Sequence, residues 1–125
     1  MVQTDISQLS SECTEWRQIL RNYKDEISTS KRSLEEICRK SLSKDQLQEI
    51  EHFDNQFHIQ LINIHDLKQS IKNHERKFQM ESANGDFTEE TYGYHEALLD
   101  QFLNLENTLQ ELRNDFKNFI SATSC

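Results

Sequence analysis

From Ile6 to Ile37 apolar residues return at Leu9, Cys13, Trp16, Leu20, Tyr23, Ile27 and Leu34. Once Ser30 is counted in the series, the steps alternate between three and four. A step averaging about 3.5 residues keeps one stripe facing its partners only if the helix winds left-handed around them. The spacing predicts a first helix over about residues 5–40, with Asp5 and Gln8 as a capping pair at its start. Ser43 followed by Gln46 forms a capping box, and Leu42 with Leu47 adds a hydrophobic staple, so a second helix is expected to start at residue 44.

The second helix carries Leu47, Ile50, Phe53, Phe57, Leu61, Ile64, Leu67, Ile71, His74 and Phe78 as its stripe. This series drifts backward around the helix, and strict heptad positions fall on Asp54, Lys68 and Glu75. Asn84-Gly85 is expected to end it near residue 83, with Gly85 taking the positive-φ position after the helix. Thr88 is the next N-cap, Phe87 and Tyr92 are a second staple, and Glu89 and Glu90 suit the positive end of the helix dipole. The third helix, 89–121, packs through Leu98, Phe102, Leu105, Leu109, Leu112, Phe116 and Phe119. Short turns require antiparallel neighbours. The expected fold is therefore all-α, a single elongated up-down-up three-helix bundle with left-handed coiled-coil-like packing over residues 1–125. Levelling the hairpins at Leu42 and Asn84 sets Ile27 near Phe57 and Leu112, Leu20 near Ile64 and Leu105, and Trp16 opposite Leu67. The same count sets Cys13 near Ile71 and puts Leu9 level with His74 and His95.

Composition agrees with this pattern. The chain has no Pro and 2 Gly, where average usage gives about six and nine, and those two residues are the ones that end or weaken helices. Three long helices with Trp16 in the first resemble, in architecture alone, spectrin-type repeats and the regulatory domains of membrane-fusion proteins. No specific motif carries that likeness, and it implies no activity.

Lys and Arg number 14 against 22 Asp and Glu, for a net charge of −8. A polyphosphate or an anionic membrane surface is repelled by such a field, and no basic stripe reverses it locally. No run approaches the roughly 18 apolar residues of a membrane span, and residues 1–20 carry no apolar signal-like run. The three cysteines, Cys13, Cys38 and Cys125, read as reduced thiols of a cytoplasmic protein.

Candidate chemistry is sparse, and neither a small-molecule substrate nor a cofactor is expected. His74 and His95 meet at one level, with Glu75, Thr91 and Glu96 near enough to join them. Two imidazoles and the Glu75 carboxylate are a possible divalent-metal set or a pH-responsive centre. Glu49 and His52 have the spacing of a di-metal carboxylate motif, but both flank the stripe on its outward side. Cys13 and Cys38 are not brought to a histidine by level, so no thiol nucleophile is expected and the chain reads as non-enzymatic.

One feature is left over by the bundle. The stretch Asn55–His65 contains no Asp, Glu, Lys or Arg. Phe57, Leu61 and Ile64 serve the core, whereas Ile59 and Ile62 point roughly 150° away from the stripe. With Asn55 and Asp66 beside them, and Leu103 of the third helix at the same level, they form a candidate contact surface. The expected function is a helical scaffold or protein-interaction module, binding a protein partner or a second copy of itself.

Overall fold

The computed structural model describes residues 6–37, 42–85 and 87–123, which form three helices: α1 (Ile6–Ile37), α2 (Lys44–Ala83) and α3 (Glu89–Thr123). Asp5, Cys38 and Cys125, together with the end of the first predicted helix, lie outside the described residues. The local starting signals act as the sequence implies. The Gln46 backbone N–H donates to Ser43 Oγ at 3.2 Å, while the Ser43 N–H donates to Gln46 Oε1 at 2.9 Å, satisfying two donors that a helix start leaves free. At α3 the Thr91 N–H donates to Thr88 Oγ1 at 3.2 Å, and the Phe87 and Tyr92 rings meet edge to face at 5.6 Å. Gly85 follows α2 at φ +146°, a backbone region that a Cβ disfavours. The third helix runs two residues past the expected 121.

Helix directions follow from contacts that advance along the chain. Glu12 meets His95 and Tyr23 meets Glu106, so α1 and α3 run parallel. His74 meets His95 and Phe53 meets Phe116, so α2 runs opposite to α3. Flanking pairs fasten the rows beside the seam. Arg17 donates from Nε and Nη2 to the two Glu75 oxygens at 2.9 and 3.2 Å. The Arg113 guanidinium forks onto the Glu26 carboxylate and lies 5.1 Å from the Tyr23 ring centroid. Bidentate Arg–carboxylate geometry fixes register more firmly than a single contact does.

The buried positions of α2 correct the expected stripe. They are Ile50, Phe53, Phe57, Gln60, Ile64, Leu67, Ile71, His74 and Phe78, an unbroken alternation of three and four. Gln60, 5 % exposed, takes the heptad position assigned above to Leu61, and Leu47 is 50 % exposed. Leu61 packs from the flank. Gln60 Oε1 accepts from Asn63 Nδ2 at 3.1 Å, which lets a polar side chain occupy an apolar row.

Leu47 stands outside, so α2 enters the core at Ile50, and heptad counting from the layer of Cys13, His74 and His95 sets Ile37 level with it. Heptad steps from that layer pair Leu20 with Leu67 and Phe102, and Ile27 with Gln60 and Leu109. Trp16 pairs with Ile71 and Leu98, its ring centroid 6.0 Å from that of Phe102. Each α1 residue thus faces an α2 residue three or four positions later than expected, about 5 Å along the axis. The shift decides the composition of the site below.

Gly93 sits exposed inside α3 with nothing within 4 Å of a built Cβ. Gly93→Ala is therefore expected to stabilise by up to ~1 kcal/mol through lower unfolded-state entropy. A thermal melt should show a rise of roughly 2–6 °C.

Candidate functional site

Three heptad positions, one from each helix, meet toward the α2–α3 hairpin end: Cys13, His74 and His95, exposed by 0, 1 and 7 %. One ligand atom from each lies within 4.8 Å of the others. The register shift places Cys13 at this level in place of Leu9, which corrects the expectation that no thiol reaches a histidine. Glu75 does not join the imidazoles, since both its oxygens are held by Arg17. Thr91 Oγ1 donates to Glu81 at 2.6 and 2.9 Å, and Glu96 points to solvent.

A hydrogen-bonded chain runs through the rings. His95 Nε2 lies 3.2 Å from Glu12 Oε2, and His95 Nδ1 lies 2.9 Å from His74 Nε2. An ionised carboxylate only accepts, so His95 carries its proton on Nε2. When both rings are uncharged, His95 Nδ1 is bare and accepts from the His74 Nε2–H. His74 Nδ1 is then a bare acceptor as well, and it is buried without a hydrogen-bond partner. Such an orphan costs about 1–3 kcal/mol relative to a satisfied group.

Aromatic rings surround the chain. Trp16 lies 4.8 Å from the His95 ring centroid, and Phe78 and Tyr94 meet His74 edge-on at 5.0 and 5.2 Å. Burial pulls the His74 pKa down to about 4, with His95 and Lys77 pushing the same way and Glu81 opposing. Burial likewise pushes the Cys13 thiol up to about 12, Glu75 and Glu12 adding to the rise and Arg17 opposing it. A protonated, enclosed thiol is a poor nucleophile. Near the surface the Thr91 hydroxyl, then the Thr88 N–H, hold the Glu81 carboxyl below its usual range.

Glu12 and Cys13 are the members that the sequence reading missed. The available signal was indirect, since two histidines on core rows of adjacent helices need polar partners from the third. His52, by contrast, is exposed beside Phe53.

The outer face of α2 is the second candidate. Ile59 and Ile62 are 41 and 48 % exposed, and Asn55 and Asp66 are exposed on the same side. A groove of about 280 Å³ beside them is lined by Asn63, Asp66, Leu67 and Ser70 of α2 and by Gln101 and Leu105 of α3. Leu103, 50 % exposed, sits two residues from both Gln101 and Leu105. At 100° per residue it faces away from the groove, so it does not extend the Ile59–Ile62 patch.

Fold and site together define an all-α three-helix bundle with a buried thiol–imidazole–imidazole centre, one group from each helix. Compared with protein-family models, curated proteins and solved structures, the chain matches none of them. Among the described residues no helix is long and apolar enough to cross a membrane.

Proposed function

We propose that the protein is a non-enzymatic helical interaction module that self-associates through the outer face of α2. The observation that carries this is the pairing of exposed Ile59 and Ile62 within Asn55–His65, a stretch free of Asp, Glu, Lys and Arg. With a net charge of −8, two copies repel over most of their surfaces, and this strip is where repulsion is least. A two-fold axis through it sets α2 against its copy, an isologous contact in which Ile59 and Ile62 interleave and Asp66 stays at the rim. Cytoplasmic placement suits the free thiol of Cys13.

The expected result is a dimer by sedimentation equilibrium that becomes a monomer in Ile59→Glu and in Ile62→Glu, with helicity unchanged by circular dichroism. A wild-type protein that sediments as a monomer at high micromolar concentration removes this reading. A second reading, a metal- or pH-responsive bundle, rests on the buried centre.

A further inference from the structure

We infer that Cys13, His74 and His95 form a zinc site, with Glu12 orienting His95 from outside the coordination shell. The inference is independent of self-association through α2. Three observations support it. The donor set is one sulfur and two imidazole nitrogens, the mixture that a borderline-soft, tetrahedral ion takes. The donors come from three separate helices yet converge within 4.8 Å, whereas tetrahedral Zn–N and Zn–S bonds require donor separations of roughly 3.3–3.7 Å. Side-chain rotation within the existing packing can close that gap. Finally, the buried centre already contains an unsatisfied acceptor, His74 Nδ1. With Glu12 holding His95 Nε2–H, His95 ligates through Nδ1, so the metal replaces the His74–His95 hydrogen bond, while neutral His74 ligates through one ring nitrogen and keeps its proton on the other.

The surroundings fit the same role. Glu12 Oε2 at 3.2 Å from His95 Nε2 is the carboxylate–histidine arrangement that fixes the tautomer of a ligand and raises its basicity. Trp16, Phe78 and Tyr94 form the apolar shell. Binding breaks the Cys13 S–H bond and forms a Zn–S bond, and the proton leaves to solvent. The thiolate and the Glu12 carboxylate together balance the two positive charges of the ion. Three protein donors leave the fourth position to a water molecule. The near-complete burial of all three ligands means that the ion enters as the helices close, so loading accompanies folding.

The test uses the full chain carrying Cys38→Ser and Cys125→Ser, unfolded with chelator and refolded with zinc chloride or with chelator alone. The expected results are one zinc per chain, release of one proton, and a melting temperature raised by roughly 5–10 °C at a hundredfold excess over Kd. Cobalt in place of zinc should give the visible bands of a tetrahedral ion with a sulfur-to-metal charge-transfer band. Cys13→Val, close in volume, is expected to fold and to lose the metal, and His95→Phe is a second variant should the first not fold. No uptake by the refolded parent overturns the site. So does uptake that persists in both variants, which would assign the metal to exposed His52, His58 or His65.

Discussion

In metal-free protein, lowering the pH from 7.5 to 4 is expected to cost about 3 kcal/mol through His74 alone. The sign follows from where the proton binds. The ordinary histidine value is 6.5 and the folded value is about 4, so between the two the unfolded chain holds a proton that the native ring refuses. Stability from this group is complete above pH 6.5, declines through the window, and is fully lost below 4. The groups around the ring do not rescue it. Cys13 is neutral from α1, His95 faces it from α3, Lys77 repels a positive charge, and Glu81 opposes only weakly from the rim. Since the ring is 1 % exposed, solvent does little to screen the penalty. Carboxylates titrate in the same range, so the quantity to measure is the difference between wild type and His74→Leu in urea unfolding with chelator present. That difference should move in favour of the variant by about 3 kcal/mol on acidification. Equal losses in both proteins would show that His74 takes a proton in the native state as freely as in water.

Phe57→Ala is expected to remove about 3–5 kcal/mol, at least a fifth of the roughly 5–15 kcal/mol typical of a domain. Phe57 is 2 % exposed and meets Phe116 edge to face at 5.0 Å. Phe53 lies 5.3 Å from Phe116 and 5.2 Å from Phe119, so four rings brace the end of the bundle far from the histidines. Truncating one leaves a void that its neighbours, held edge to face, fill poorly. Leu47→Ala on the same helix should cost under about 0.5 kcal/mol, as its side chain is half in water. Chemical denaturation of both variants with an unchanged m-value is the check. A cost for Phe57→Ala below about 1 kcal/mol would show that the aromatic end is loosely packed.

These effects also show why the chain was legible in some places and not in others. Helix type and the starts of α2 and α3 came through because they depend on local chemistry: the Ser43–Gln46 box, the Thr88 cap, and rows that step by three and four. The level of one helix against another depends on which residue of α2 first enters the core, and Leu47 and Ile50 are both apolar. Periodicity alone could not choose between them. That ambiguity hid Cys13 behind Leu9 and offered Glu75 as the carboxylate, where the folded chain uses Glu75 to hold Arg17 and sets Glu12 on His95. Gln60 was missed for a related reason. An apolar neighbour, Leu61, reads as the better core residue until the heptad is followed unbroken. The outward direction of Ile59 and Ile62 follows from the helical wheel, but which side of α3 carries Leu103 depends on the groove shared with α2.

Nitrogen-15 spectroscopy of the imidazole rings in metal-free protein tests the buried centre most directly. At pH 8 the expected result is His74 protonated on Nε2 and bare on Nδ1, with His95 protonated on Nε2 toward Glu12. As the pH falls, the His74 ring should stay neutral until about 4. A His74 ring that titrates near 6.5, with tautomers averaged as in water, would contradict a buried centre in which α1, α2 and α3 bring Cys13, His74 and His95 together.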